Sequence, residues 1–364
     1  MPSYKAPVEE VLFLLRDVFP IQRYNNLPGF AEATPDIVEA IVSEAAKLCE
    51  ATLQPLNQTG DREGCARGKD GSVATPRGFK QAYRAFVEGG WVGLAADPEY
   101  GGQGLPYTLT AIVNEFASSA NMAFAMYPGL SQGAFAALLT HGTDAQKKMF
   151  VPKLISGEWC GTMNLTESHC GTDLGLLKTK AVPNGDGSYT ITGEKIFISS
   201  GEHDLAANII HLVLARIEGA PAGVKGISLF VVPKILIEQD GSLGPSNKVT
   251  CGAIEHKMGI HANATCVMNY DGAKDWLVGE PHKGLPAMFV MMNEARLAVG
   301  VQGLAISEAA YQNAAAYAKE RLQGRALSGP QSPDKPADPI IVHPDVRRNR
   351  AQDGHSRQCH LRDE

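Results

Sequence analysis

Several signals that would place this chain in a special class are missing from its 364 residues. No run of about 18 uncharged apolar residues occurs, so we expect no membrane-spanning helix. The first 30 residues lack the basic start and apolar core of a secretory signal peptide, and none is expected. A net charge of −6 provides no broad basic surface, which argues against nucleic acid as the main partner.

The cysteines also exclude two kinds of protein. There are seven of them, an odd number, and no C-x-x-C pair is found. This pattern is typical of reduced thiols rather than of a disulfide framework or a zinc site. We therefore expect a cytoplasmic protein without a metal centre.

What is present is ordinary for a soluble globular protein: 44% hydrophobic and 20% charged residues. The length exceeds what one hydrophobic core usually supports, so two or three domains are expected. From residue 7 to about 154, apolar residues recur at three- and four-residue steps, which predicts helices. We place these helices at about 8–18, 35–52, 76–90, 107–125, 129–140 and 144–155, with a loop at 56–75.

The pattern then changes to alternation, which predicts short strands in a small antiparallel sheet or barrel. The predicted strands are 159–165, 177–182, 188–191, 194–199, 208–216, 226–232 and 264–270. A long helix rich in Ala and Met returns from 285 to about 322, and helices of that length usually pack in bundles. Residues 324–346 contain five prolines and are predicted to form a linker.

Two polar segments are candidate binding elements. Cys160–Asp173 is predicted to be a strand followed by a turn rich in hydroxyl groups, a common place to present N–H and hydroxyl donors to a ligand. In Gly193–Gly201, alternation places Phe197 and Ser199 on one face of a strand. An aromatic ring beside a hydroxyl suits a flat, hydrogen-bonding cofactor. These residues alone also allow a turn without a ligand and a phenylalanine in the core.

Together the two segments resemble motifs of the acyl-CoA dehydrogenase family. Leu165-Thr166-Glu167 with Gly171-Thr172-Asp173 resembles the family's Thr-Glu-Pro-x-x-Gly-Ser-Asp loop, and Lys195–Gly201 resembles its Lys-x-Trp-Ile-Thr-Asn-Gly strand. Three further segments match in the family's order: 93–104, 257–266 and 320–324. The opening residues 4–15 resemble a larger subgroup, the one that contains 3-methylmercaptopropionyl-CoA dehydrogenases. The resemblance covers roughly residues 4–348.

The resemblance implies an FAD enzyme that removes hydrogen from the α and β carbons of an acyl-CoA thioester. Met163 stands where many relatives have an aromatic residue, and Phe197 where tryptophan is common. Arg321 matches an arginine that contacts the FAD pyrophosphate, in relatives from a neighbouring subunit. The residues implied for FAD binding are Met163, Leu165, Thr166, Phe197, Ser199 and Arg321.

For the acyl-CoA substrate the resemblance implies Thr172, Asn293 and Arg296. The catalytic base is left unassigned, because most relatives use a glutamate beyond the matching region. A minority use a glutamate directly before the arginine matched by Arg296, where this chain has Ala295. Glu294 is one residue away, about 100° around a helix, and is kept as a candidate. A His169–Cys170 nucleophile pair is not expected, because adjacent residues on a turn rarely face each other.

The implied fold class is multidomain α+β. The predicted domains are an N-terminal helical domain (1–158), a middle β domain that faces the flavin (159–280) and the first part of a C-terminal helical bundle (281–348). Residues 349–364 have few apolar residues and no period, so we expect a disordered tail. The family pattern stops at 349, as after a truncation or a frame shift, and impaired activity is expected.

The resemblance also implies partners: the acyl-CoA substrate, an electron-transfer flavoprotein as acceptor, and a homodimer or homotetramer if the bundle were complete. Three alternatives stay open. The chain could be a non-catalytic flavin-binding remnant or scaffold, or an acyl-CoA oxidase whose reduced flavin reacts with oxygen. A DNA-associated flavoprotein is a further alternative, but it needs a basic surface that this acidic chain does not show.

Overall fold

Helices precede and follow a β region along the chain in the computed structural model, which describes residues 3–348. The tail predicted for 349–364 lies outside these residues. The α+β class expected from the sequence is confirmed. Short 3₁₀ and π segments connect or extend some of the helices. The α-helices are α1 (Val8–Phe13), α2 (Pro35–Leu48), α3 (Gln54–Glu63), α4 (Phe79–Glu88), α5 (Tyr107–His141), α6 (Asp144–Ile155) and α7 (Gly284–Glu320).

The strands fall into one large sheet and two small two-stranded ones. They are β1 (Ala66–Arg67), β2 (Val73–Ala74), β3 (Trp159–Asn164), β4 (Lys180–Pro183), β5 (Tyr189–Ser199), β6 (Asn208–Ile217), β7 (Ile227–Pro233), β8 (Ile235–Ile237), β9 (Leu243–Ser246), β10 (Val249–Ile254) and β11 (Thr265–Val278). β1 pairs with β2, and β8 pairs with β9. The remaining strands form the large sheet.

The large sheet closes into a barrel. β11 pairs with β5, β5 with β4, β4 with β6, β6 with β7, and β7 returns to β11. Pairing is antiparallel except that β6 runs parallel to β3 and β4. Val213 and Phe230 pack inside the barrel, whereas Leu212 and Leu229 on the other face join the helical core. β6 and β7 are therefore buried on both faces, which explains their nearly continuous apolar sequences.

α5 is the central helix of the N-terminal half. It is 35 residues long and is kinked at Asn121, whose backbone is not helical (φ −160°, ψ 88°). The Asn121 side chain accepts a hydrogen bond from the Phe124 amide (3.1 Å) and so caps the second half of the helix. α5 is long and apolar enough to cross a membrane, but 67% of its most apolar stretch is buried within the protein. We therefore describe it as a core helix.

Several predicted boundaries were wrong. The helix break expected between 125 and 129 lies at Asn121, because an internal asparagine cap ends the first half. The loop expected at 56–75 contains most of α3 and the β1–β2 hairpin. The two strands expected at 188–191 and 194–199 form the single strand β5, and β8, β9 and β10 were missed. The capping role of Thr143 is confirmed, because its side chain and that of Gln146 form a capping box.

The proline-rich segment 324–346 is ordered by one carboxylate. Asp338 is fully buried and accepts backbone hydrogen bonds from Ala326 (2.9 Å), Gln331 (3.0 Å) and Ser332 (2.7 Å). These bonds, that from Ala326 foremost, lower the pKa of Asp338 to about 2. The predicted linker is thus held in a fixed turn, because a single acidic side chain accepts hydrogen bonds from the amides of three of its residues.

Within the described residues, the ionisable side chains of Asp275 and His211 lie inside the barrel without a hydrogen-bond partner. Asp275 lies on the inward face of β11 together with Leu277. The centres of the His211 and Tyr270 rings lie 6.0 Å apart. Both carboxylate oxygens of Asp275 and both ring nitrogens of His211 are buried without a hydrogen bond. Burial raises the pKa of Asp275 to about 8, and burial first, then the charge of Lys234, lowers that of His211 to about 3. Both side chains are therefore mainly neutral at pH 7.

Asp275→Asn should make the protein more stable, and the gain should grow with pH. The folded carboxyl ionises near pH 8 but an unfolded Asp near about 4, so the folded state holds an extra proton in between. Stability of the wild type must then fall as pH rises from about 4 to about 8. Urea unfolding should give the variant an advantage of about 1–3 kcal/mol at pH 8 and less at pH 5.

The matched control is Asp271→Asn, an exposed residue on the same strand. It should leave the free energy of unfolding nearly unchanged at both pH values. Equal gains for the Asp275 variant at pH 5 and pH 8 would contradict a neutral buried carboxyl.

Candidate functional site

The loop after β3 folds back tightly on Thr166. Glu167 and Cys170 exchange two backbone hydrogen bonds, of 2.8 and 3.0 Å, which close the turn. A Cβ atom on Gly171 would lie only 3.4 Å from the Thr166 methyl group. The hydroxyl-rich segment is thus a compact turn at the end of a buried strand.

A buried ion pair joins this turn to β5. The Lys195 ammonium lies 2.9 Å from Glu167 Oε1 and 2.9 Å from the carbonyl oxygen of Leu165. Glu167 also accepts from the Lys178 amide (2.7 Å) and from the amide (3.0 Å) and hydroxyl (2.6 Å) of Thr179. The Lys195 side chain is 0% exposed and that of Glu167 is 5% exposed.

The protonation states fit an ion pair. Burial acts to raise the pKa of Glu167, but the charge of Lys195 and the hydrogen bonds that the carboxylate accepts outweigh it, so this pKa lies below its usual value. Burial lowers the pKa of Lys195, and the Glu167 charge opposes that shift. The charge of each side chain therefore stabilises the charged form of the other.

Phe197 projects from β5 at a β-bulge. Between the pairs Cys266–Ile198 and Met268–Lys195, β5 contains one residue more than β11. Phe197 adopts a left-handed backbone (φ +57°), rare for an aromatic residue, and its side chain is 59% exposed. The alternative of a phenylalanine in the core is wrong. The bulge also interrupts the simple alternation used to place Phe197 and Ser199 on one face.

The structure brings together the two segments singled out in the sequence. The Ile196 amide donates to the Thr166 carbonyl (2.9 Å), and the Thr162 hydroxyl donates to the Ser199 carbonyl (2.8 Å). Within residues 3–348, the hydroxyls of Thr166, Thr172 and Ser199 take part in no hydrogen bond. Met163 and Leu165 pack against the helical core beneath. The exposed Phe197 ring and these unused hydroxyls, on two segments joined by hydrogen bonds, are the groups that could hold a planar cofactor.

Other candidate residues lie on α7. Arg296 donates to Asn293 Oδ1, lies 5.4 Å from the centre of the Phe289 ring, and is exposed like Asn293. Arg321 lies at the far end of the helix, which is about 55 Å long. None of the contacts found in the described chain joins Asn293, Arg296 or Arg321 to the Thr166 turn.

Glu294 faces a different direction from Asn293 and Arg296. Its buried Oε2 finds no hydrogen-bond partner among residues 3–348 and lies 3.6 Å from where a Cβ of Gly133 on α5 would be. Burial raises the pKa of Glu294 to about 7. It lines a cavity of about 880 Å³ together with Tyr107 and Gln132. Packing against α5 therefore buries the Glu294 carboxyl.

Glu167 and Lys195 lie inside the two motifs, but no role was predicted for either residue. A charged residue in a strand pattern is usually solvated, and the only available signal was that two opposite charges belong to the two paired motifs.

Sγ of Cys170, a ring nitrogen of His169 and an oxygen of Glu167 lie within 4.8 Å of one another, a spacing that a metal ion could use. Because the carboxylate already accepts the hydrogen bonds above, we assign it to the turn.

Comparisons with known proteins cover most of the chain. The family model described as "Acyl-CoA dehydrogenase, N-terminal domain" matches residues 36–158, and "Acyl-CoA dehydrogenase, middle domain" matches 162–273. A 3-methylmercaptopropionyl-CoA dehydrogenase of Ruegeria pomeroyi is 47% identical over 95% of this chain and 58% of its own length. A broad-specificity linear acyl-CoA dehydrogenase of Mycobacterium tuberculosis is 39% identical over 96% of this chain and 58% of its own.

Solved structures agree with these matches. The structure of butyryl-CoA dehydrogenase from Megasphaera elsdenii aligns with a TM-score of 0.72 and 25% identity, over 89% of this chain and 76% of that one. The present chain spans 58% of the length of each of the two curated relatives named above.

Phe197→Gly should stabilise the folded protein, whereas Phe197→Ala should not. Both changes remove a ring that is already 59% exposed, so little buried area is lost. Only glycine relieves the left-handed backbone, which costs other residues about 1–2 kcal/mol. Thermal unfolding without added cofactor should rank glycine above wild type and alanine at or below it. Equal melting temperatures for the two variants would mean that the backbone at Phe197 carries no strain.

Proposed function

The chain belongs to the acyl-CoA dehydrogenase family, and we propose that it binds FAD between Phe197 and the Thr166 turn and oxidises an acyl-CoA thioester. The observation that carries this proposal is the exposed ring of Phe197 on a left-handed backbone. Such strain persists where the surrounding structure enforces it, commonly at a functional site. When bound, FAD would supply the acceptor for the substrate's β-hydride.

The residues around the space between Phe197 and the Thr166 turn, called the flavin slot below, would bind and orient the cofactor. Thr166 would donate its hydroxyl to the ring edge, and Ser199 would add a second hydroxyl. Phe197 would cover one face of the ring, as aromatic side chains do for flat ligands. Arg321 would bind the pyrophosphate through its paired donors, from the second copy in an oligomer. Met163 and Leu165 would provide the apolar border.

The substrate would lie across α7. Thr172 would contact the pantetheine of acyl-CoA, and Asn293 and Arg296, both exposed, would line the cleft. Hydrogen-bond donors near the thioester oxygen would stabilise the negative charge that develops when the α-proton leaves. The R. pomeroyi relative is named for the short thioester 3-methylmercaptopropionyl-CoA, which supports a short or medium acyl-CoA, with 3-methylthiopropionyl-CoA the first to test.

Glu294 is not the base in this proposal. Its pKa of about 7 would suit a base, but geometry decides first. Its free oxygen faces Gly133 and the cavity beside Tyr107, whereas Asn293 and Arg296 are exposed on another side of α7. A proton taken by Glu294 would have to come from a substrate on the α5 side of the helix.

Partners follow from the same family membership. We propose an electron-transfer flavoprotein as the electron acceptor and a cytoplasmic homodimer or homotetramer as the working form. Val299, Ile306 and Tyr317 are exposed on α7, which supports contact of this helix with further protein. The six cysteines of the described chain are all free, in keeping with a reducing compartment.

Phe197→Ala should weaken FAD binding about tenfold, as expected for the loss of one stacked ring. Titration of the purified chain with FAD, followed by flavin fluorescence, measures this affinity. Phe13→Ala is the control, because Phe13 on α1 has a similar exposure of 55% and no proposed role. It should bind FAD like the wild type. If the wild type takes up no FAD, a scaffold without flavin is the better description.

Glu294→Gln should leave turnover within a factor of about three of wild type, since losing a general base costs about 10²–10⁴. The assay follows 3-methylthiopropionyl-CoA and butyryl-CoA oxidation with an artificial electron acceptor. A fall of 100-fold or more in the variant would make Glu294 the base. A wild type that binds FAD but oxidises neither thioester would instead favour the non-catalytic flavin-binding alternative.

A further inference from the structure

We propose that the buried Lys195–Glu167 ion pair positions both sides of the flavin slot, so that Lys195 and Glu167 are positioning residues for FAD. This inference rests on the proposed function. It concerns two charged side chains that touch neither an expected ligand nor solvent.

On the side of the turn, the pair fixes the backbone on both sides of Thr166. The Lys195 ammonium donates to the carbonyl of Leu165, and the carboxylate that it contacts belongs to Glu167. Glu167 is in turn anchored by the amides of Lys178 and Thr179, just before β4. Leu165 before Thr166 and Glu167 after it are therefore both held by hydrogen bonds. The direction of the Thr166 hydroxyl depends on these bonds.

On the side of the strand, the same contacts place the aromatic ring. Lys195 bonds the turn through its side chain, and Ile196 bonds it through its amide, which donates to the Thr166 carbonyl at 2.9 Å. The next residue is Phe197, in the left-handed conformation of the bulge. Three consecutive residues thus provide two links to the turn and then the ring. A displacement of the turn would therefore move the Phe197 ring and the Thr166 hydroxyl together.

Stability alone does not explain the pair. Removing two charges from water is expensive, and a buried ion pair is often no more stabilising than apolar residues of similar size. An apolar pair at these positions would fill the same space but could not bond the Leu165 carbonyl or the two amides before β4. The charged groups form directional hydrogen bonds. Such bonds fix the geometry that a cofactor slot needs, and hydrophobic contacts do not.

The test uses the double variant Lys195→Met/Glu167→Gln, which leaves no unpaired charge and nearly the same volume. Hydrogen exchange in the full chain without FAD should be about tenfold faster at the amides of Ile196 and Cys170, because the turn loses the bonds from Lys195 to Leu165 and Glu167. FAD should bind about tenfold more weakly, and the visible band of bound flavin should shift, since its surroundings change. The single variant Lys195→Met leaves Glu167 buried and unpaired, so it should unfold at a lower temperature than the double variant.

Lys234→Met is the matched control. Lys234 pairs with the buried carboxylate of Glu202 in the same barrel but contacts neither the turn nor Phe197. It should lower stability while leaving FAD affinity, the flavin band and exchange at Ile196 as in the wild type. A role in folding alone would give the double variant and this control the same flavin properties.

The outcomes separate this inference from the proposed function. If the wild type binds FAD and the folded double variant matches it in affinity, band position and exchange at Ile196, the positioning role is overturned while the proposed function stands. If the wild type takes up no FAD, the proposed function fails and the inference fails with it.

Discussion

Closure of the barrel through the pairing of β7 with β11 is the constraint on which the rest of the structure depends. Once closed, the barrel has an inner face filled by its own side chains and an outer face that needs cover. β6 and β7 receive that cover from the helical core, so the helices are held against one side of the barrel. The strand edge where β3 ends and β5 bulges is left at a rim, and the polar segments lie there.

Much of the fold follows from local sequence patterns, and the exceptions have physical causes. The change from helical to alternating periodicity near residue 158 and the return to a helix near 285 are clear in the sequence. The pattern could not show that Asn121 would cap a helix from within or that Asp338 would order a proline-rich segment. In both cases one side chain bonds to backbone amides, and such bonds depend on tertiary placement rather than on periodicity.

The candidate site was found through motifs, yet its geometry was only partly predictable. The segments that contain Thr166 and Phe197 were both identified as binding elements, and the Ile196–Thr166 hydrogen bond joins them. The β-bulge was hidden, because an extra residue in one strand is defined only by its partner strand. The burial of Lys195 was hidden for a similar reason: its carboxylate partner lies 28 residues away in the chain.

The turn ordered by Asp338 also fixes the direction of the chain after α7. The Gln323 amide bonds to the Asp338 carbonyl and the Ile340 amide to that of Arg321, so residues 321–323 and 338–340 run side by side. The ring of His343 bonds back to the carbonyl of Gln323 at 2.8 Å. The segment up to Arg348 thus leaves from a rigid elbow instead of a flexible tether. Any surface that includes this elbow would be preorganised, and its binding would require little loss of backbone entropy.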